Sequence, residues 1–580
     1  MRAIPVLLLA AGLAAAKDPE NLIENGGFEK DLDGWHVFAP TGMTHELDRK
    51  EKKEGRRSIR FEKKARGGMD NMFTRVENLA GGQTLAVRAW FKSDGLGNGW
   101  FKVFFEDAAG NDLGQGADVK PLAGTYDWKR IELTNEVPDG AVRARILVLL
   151  VMPGTLWVDG VEVTLQGEAK PPPPPDPLDR ATKRWLDKNA VAIDTLDFAA
   201  PTRDLAPLRK LVGEARIVQL GEQSHMDGAT FRAKARLARF LHESMGFQVI
   251  AFESGLFECE AANALLAEGD ARAAMHASVF GIWRTEEVLP LFEHMAKHAR
   301  GRSPLVLTGF DTRGSGLAAA DLVPRLCDLL GPVPDGDRAA LAAIHPQRNA
   351  PPYAPAADAR AAARDALEGL AKRLAAGRDA LVEKHGEREV AFLERCLSNY
   401  MVREEFEWLN QAKKDGEAAG NLRDRQMAEN LRWLLEVRYP GAKVLTWAAT
   451  SHQARNLPKV TIDGSSKQYE TWRNMGQCVH EWYGDEVFTI GFAARGGKAG
   501  RFRPMFDLQP PRKGSVEDLL HRYGKPLLFL PLRGDAGPFG DRMFCSPMAY
   551  GRTMEACWPE VLDAILFTDV MTPTVWAPRE

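Results

Sequence analysis

Five consecutive prolines, Pro171–Pro175, sit inside Gly167-Glu-Ala-Lys-Pro-Pro-Pro-Pro-Pro-Asp-Pro177. Each proline fixes its φ and lacks an N–H, so the run cannot enter a helix interior or a central strand. It reads as an extended polyproline II spacer of about 3.1 Å per residue. A chain of 580 residues already exceeds what one hydrophobic core supports. The spacer therefore predicts a multidomain protein, with a linker over 167–178, one domain over 20–166 and another over 179–580.

The two sides differ in period. Before the spacer come short alternating runs, Ser58–Glu62, Thr84–Phe91, Lys102–Phe105, Arg145–Val151 and Leu156–Asp159, separated by Gly, Asn and Asp clusters. That spacing predicts an all-β sandwich. Its opening, Asn21-Leu-Ile-Glu-Asn-Gly-Gly-Phe-Glu29 with Gly34-Trp35, and its closing Trp157-Val-Asp-Gly-Val-Glu-Val163 resemble the ends of galactose-binding-like carbohydrate-binding modules. The resemblance implies glycan binding through exposed aromatics and a structural calcium near Glu29 and Asp159. Trp90, Phe91, Trp100 and Phe101 fit either a sugar platform or the sandwich core.

After the spacer, apolar strand-like runs alternate with helical patterns. The runs are Arg216–Leu220, Phe247–Phe252, Pro304–Phe310, Lys443–Ala449, Val487–Phe492 and Leu527–Leu532. A helix over Thr230–Met245 links the first two and ends at Gly246, a C-cap glycine. Continuous apolar strands between helices predict an α/β domain, its parallel or mixed sheet covered on both faces. Residues 355–438, rich in Ala, Arg, Glu and Leu, read as two or three long helices, an inserted lobe roofing the cleft.

Residues 1–16 combine Arg2, an apolar run from Ile4 to Leu13 and Ala14-Ala-Ala16, the layout of a signal peptide. The run is too short to span a bilayer, and a secreted or periplasmic protein is expected. A net charge of −3 gives no electrostatic case for nucleic acid or an anionic membrane. The six cysteines are scattered without a Cys-x-x-Cys pair, so no zinc pattern emerges and one or two disulfides stay open.

Three strand-like runs end in groups that handle protons: Gly221-Glu222-Gln-Ser-His225, Glu253, and Thr450-Ser-His452. Chemistry in open α/β sheets sits beyond the carboxyl ends of the strands, so these four groups form a candidate catalytic set. If a helix starts here, Glu222 and His225 share one face of it. A carboxylate against an imidazole raises its basicity and fixes its tautomer, and a histidine so held takes a proton from water. A single Glu-x-x-His is otherwise an ordinary surface ion pair. No cofactor is required; one divalent metal at the cleft on the same four residues is the alternative. No Gly-x-Ser-x-Gly nucleophile elbow is present. Arg284, Asp311 and Arg423 are secondary candidates for substrate or oxyanion contacts.

Ile217-Val-Gln-Leu-Gly-Glu-Gln-Ser-His225, Phe231, Lys234 and Phe247-Gln-Val-Ile-Ala-Phe-Glu253 resemble the erythromycin esterase family. Matching segments follow in order: Gly309-Phe-Asp311, Arg423-Asp-Arg-Gln-Met-Ala-Glu-Asn430, Trp447-Ala448 with His452, Met475-Gly476, Ile490-Gly-Phe492 and Asp563-Ala-Ile-Leu-Phe-Thr-Asp569. The resemblance implies hydrolysis of an ester or lactone with no required metal, and the attached sandwich suggests a small-molecule or glycan-linked ester as substrate. His225 would be the base, Glu222 and Glu253 would orient it, and His452 would move a proton or stabilise an oxyanion. The family segment Trp-Ala-His-Asn-x-His is here Trp447-Ala-Ala-Thr-Ser-His452, and the usual Gly after the first motif is Met226. Ala449 and Thr450 thus favour a second reading, a catalytically altered protein that binds a ligand or glycan.

Overall fold

The computed structural model describes residues 21–107, 112–167, 177–330, 333–344, 357–411, 415–500, 506–508, 510–548 and 552–579. The signal peptide expected over 1–16 and the proline run Pro171–Pro175 lie outside these residues. The chain divides into two compact units on either side of residue 175.

The first unit is antiparallel throughout. One sheet runs His36–Phe38, Asp70–Glu77, Ala141–Leu150, Gly99–Asp107 and Asp112–Gln115, with Lys120–Pro121 also on Gly99–Asp107. The other runs Thr44–Asp48, Ser58–Lys63, Gly154–Gln166, Thr84–Leu96 and Gly124–Glu136. Period-two burial puts Phe61, Phe91, Phe101, Val103, Ile146 and Val158 into a shared core. Phe91 and Phe101 meet edge to face at 4.9 Å and are core, whereas Trp90 and Trp100 are half-buried. Gly124–Glu136 escaped the sequence pattern because, as an edge strand, it carries polar residues on both faces. Asp159 spends its carboxylate on the backbone N–H groups of Lys53, Glu54 and Gly160, each at 2.8 Å, and Glu29 accepts from Arg56 N.

The second unit is built on an eight-stranded mixed sheet: β1 Val191–Ala192, β2 Ile217–Leu220, β3 Phe247–Gly255, β4 Val306–Asp311, β5 Lys443–Trp447, β6 Val487–Ala499, β7 Leu527–Pro531 and β8 Ala564–Met571. A two-residue strand, Phe506–Asp507, pairs the far end of β6. The spatial order is β1-β7-β8-β6-β2-β5-β3-β4. The six strands from β8 to β4 run parallel, and β7 is antiparallel to β8 and to β1. Every residue of β2 is buried, as a strand covered on both faces requires. Helix α1, Gly228–Met245, is capped by Asp227 and stopped by Gly246 at φ 74°. Helix α2, Leu289–His298, packs beside it.

The lobe after β4 holds the helices Ala357–Ala376, Arg378–His385, Glu387–Gln411 and α3, Gly416–Trp433. Asn430 of α3 donates to Phe310 O of β4 at 2.9 Å, so α3 leans on the sheet. All six cysteines are free, five of them buried. Among the described residues no helix is long and apolar enough to cross a membrane.

Candidate active site

The order β2-β5-β3-β4 sets four carboxyl-terminal strand ends side by side. Glu222 and His225 follow β2, His452 follows β5, and Glu253 and Asp311 lie in the last turns of β3 and β4. The first link is tight. A Cβ on Gly221 would stand 2.4 Å from Thr450 Oγ1 and 2.9 Å from Ile490 O, so only glycine lets β2 pass there. Thr450 then pins the loop, its N–H and its hydroxyl both donating to Glu222 O at 3.1 Å.

Glu222 and His225 do not share a helix face as expected; α1 begins only at Gly228, and the two meet across a turn. Glu222 is buried, and its carboxylate is fully engaged. Oε1 faces His225 Nδ1 at 2.6 Å and accepts from Trp283 Nε1 at 3.2 Å, while Oε2 accepts from Lys234 Nζ at 2.6 Å. Lys234 is wholly buried and stands 4.2 Å over the Trp447 ring. Burial pulls its ammonium down to about 8, against the pull of Glu222; the pair is ionised at neutral pH. For Glu222 burial works upward, but Lys234 and His225 outweigh it and the carboxyl is held down. The His225 side chain is 40% exposed. Partial burial lowers its pKa, yet Glu222 below it wins and the net shift is upward. In neutral His225, Nδ1–H donates to Glu222 and Nε2 keeps its lone pair. No described residue hydrogen-bonds that Nε2.

Arg423 organises the other half. Its Nε and Nη2 clamp Asp311 at 3.0 and 2.6 Å, and Nη2 also reaches Glu253 Oε1 at 2.6 Å. Bidentate guanidinium pairing suits this burial. Burial works upward on both carboxyls, but His452 and then Arg423 hold Glu253, and Arg423 holds Asp311, well below the usual carboxylate range. The second oxygen of Glu253 accepts from Ala449 N at 3.0 Å. His452 has a dyad of its own, Nδ1 to Asp424 Oδ1 at 2.7 Å, and Asp424 is fixed by Trp472 Nε1 and Met475 N. Its Nε2 lies 3.0 Å from Arg423 Nη1 and 3.4 Å from Glu253 Oε1. Burial lowers the His452 pKa, but Asp424 and Glu253 outweigh it and raise it.

Thus Glu222, His225, Glu253, His452, Asp311 and Arg423 converge. The Arg284 guanidinium donates to Val279 O at 3.0 Å and Ser315 O at 2.9 Å, bracing a loop. Sequence reasoning gave no role to Lys234, Trp283 or Asp424. Lys234 could have been found as the one lysine on the apolar face of α1, and Asp424 as the neighbour of Arg423; Trp283 has no local signal. The four cleft groups do not bring their ligand atoms together as a metal set does. Among the described residues, the group of three such atoms within 4.8 Å is His242, His294 and His298, elsewhere in the unit.

Residues 242–569, more than half of the chain, match the erythromycin esterase family, and the chain belongs to that family. YbfO of Bacillus subtilis, whose name calls it a hydrolase only provisionally, is 26% identical over 416 residues, covering 67% of this chain and 91% of that protein. Erythromycin esterase type II of Escherichia coli is 23% identical over 353 residues, 55% of this chain and 81% of that one. A mutant of the erythromycin esterase EreC in its open conformation shares the fold at a TM-score of 0.51 and 17% identity, covering 66% of this chain and 98% of that one. Family and relatives together place the chain among hydrolases.

Proposed function

We propose that the protein cleaves an ester or lactone with water activated by His225. One observation carries this reading: the His225 ring is held at Nδ1 by buried Glu222, which leaves a basic, solvent-facing Nε2. Nε2 takes a proton as the water oxygen bonds to the carbonyl carbon and the carbonyl π pair moves onto oxygen. His452, held by Asp424 at Nδ1 and facing the Arg423 guanidinium at Nε2, shapes the positive field that meets that oxyanion. Collapse restores the carbonyl and breaks the C–O bond, and the proton on Nε2 passes to the leaving alkoxide. Arg423 is a positioning residue, because Asp311, Glu253 and His452 already take its donors. A divalent ion here would have to displace Lys234 from Glu222 and Arg423 from Glu253, which favours metal-free chemistry. Export, expected from residues 1–16, and the resemblance of the sandwich's two ends to carbohydrate-binding modules suit a glycan-linked or other small-molecule ester outside the cytoplasm.

The test is a panel of esters, lactones and glycan esters, assayed with and without chelator, on the full chain and on His225→Ala. Turnover that chelator leaves alone and that His225→Ala lowers by about 10²–10⁴-fold supports the mechanism. Turnover that survives His225→Ala overturns it, and immediate loss with chelator moves a metal into the cleft. Retained glycan binding with no turnover of any substrate would favour the binding-protein reading.

A further inference from the structure

A second cluster of imidazoles lies at the other edge of the sheet. Helix α1 leaves the carboxyl end of β2 and returns to the start of β3 at Phe247, so His242, in its last turn, sits at the amino-terminal edge. Helix α2 presents His294 and His298 beside it, four residues apart on one face. His242 and His294 are buried and His298 is half-buried, and one ring nitrogen of each lies within 4.8 Å of the other two.

The hydrogen bonds fix which nitrogens hold lone pairs. Ser303 O lies 3.0 Å from His242 Nε2; a carbonyl only accepts, so Nε2 carries the proton and Nδ1 the lone pair. His294 Nε2, 2.9 Å from that Nδ1, must be its donor. The other nitrogen of His294 faces Glu243 Oε1 at 3.9 Å. His298 Nδ1 is buried and has no hydrogen-bond partner, a condition that destabilises a fold unless something fills it. Packing alone would favour an apolar side chain at each of these places.

We propose that His242, His294 and His298 bind a divalent transition-metal ion of the zinc class, with water as fourth ligand, as a staple between α1 and α2. Zn–N bonds of about 2.0–2.1 Å place tetrahedral ligand nitrogens about 3.3 Å apart. The 2.9 Å now between His242 Nδ1 and His294 Nε2 need open only slightly. Metal entry moves one proton, from His294 Nε2 to its Nδ1, where Glu243 receives it as a hydrogen bond. Ser303 O and Glu243 are then the outer partners that orient metal-bound imidazoles. The site lies away from the proposed hydrolytic cleft and does not depend on it.

The test uses the full, untagged chain, stripped with chelator and dialysed, and reads binding rather than turnover. Zn(II) is titrated by calorimetry, and Co(II) is followed by its visible d–d bands. One equivalent of either ion per chain, with four-coordinate Co(II) bands and a raised Tm, is expected. His298→Ala, and the milder His298→Gln, should each weaken binding by about 100-fold, with a far-ultraviolet circular dichroism spectrum like that of the parent. His225→Ala should keep the full equivalent. No bound equivalent, an equivalent that both His298 variants keep, or one that His225→Ala abolishes would overturn the site.

Discussion

The two edges of one sheet use histidine in opposite ways. At the carboxyl edge His225 and His452 each rest on a buried carboxylate, Glu222 and Asp424, and both pKa values are raised. At the amino edge His242 and His294 rest on each other, and theirs are lowered. Burial acts downward on all four. The sign is decided by what stands behind the ring: an anion stabilises the imidazolium and makes a base, whereas other imidazoles keep the ring neutral and make a ligand.

The largest effect should come from the residue that makes the carboxyl edge tolerable. Arg423→Met takes the shared guanidinium from buried Glu253 and Asp311, leaving only Arg313 at 3.4 Å from Asp311 and His452 at 3.4 Å from Glu253, and breaking a buried pair costs about 3–5 kcal/mol. Denaturant unfolding should show a loss of that size together with loss of turnover; an unchanged midpoint would mean that the clamp is not needed. His225→Ala comes next, with a fall in kcat/KM of about 10²–10⁴-fold and little change in Tm, since the ring is half-exposed. His294→Ala should do the reverse. It should leave kcat/KM within about twofold while lowering the Tm of the zinc-loaded chain. If the two variants gave the same pattern, the division of labour between the edges would be wrong.

Much of this division was legible in the sequence. Strand ends followed by Glu222-Gln-Ser-His225, Glu253 and His452 marked one crevice because the parallel sheet collects its carboxyl ends there. The sandwich and the α/β unit followed from a change of period across Pro171–Pro175. What escaped depended on contacts far apart in the chain. Lys234 meets Glu222 nearly two turns into α1, and Asp424 meets His452 only once the lobe folds back on β4. The lobe reads as a roof in sequence, but it supplies Arg423 and Asp424 to the site. At the amino edge His294 and His298 carry a helical spacing, but His242 lies 52 residues from His294, and no local pattern joins them.

Acid separates the edges by a smaller amount. In the metal-free chain His294 is held down to about 3, by burial first and then by His298, His242, Arg239 and Lys297, with Glu243 the anion facing it. The folded state therefore binds fewer protons than the unfolded state, whose histidine titrates near 6.5. Stability is complete above that pH and falls as pH drops from about 6.5 toward about 3, by at most about 1.4 kcal/mol per pH unit. Unfolding measured between pH 7 and pH 5 should show this slope in the parent and a shallower one in His294→Ala. Equal slopes would remove His294 as its source.

The smallest effect links the two carboxyl-edge dyads. His225 works as a base only when neutral, so kcat/KM should rise with pH through its pKa, which Glu222 keeps above the ordinary histidine value. Protonated His452 opposes that, because a nearby cation lowers the His225 pKa. Asp424→Asn leaves an oxygen for His452 Nδ1 and Met475 N but removes the anion that favours the charged form of His452. His452 then loses its proton more readily, and the nearer charge acting on His225 disappears. The distant carboxylate is lost too, but His452 is closer and sets the sign. The acid limb of kcat/KM should therefore move to higher pH, by about half a pH unit or less. A limb that stays in place, or moves toward acid, would show that the two dyads titrate independently.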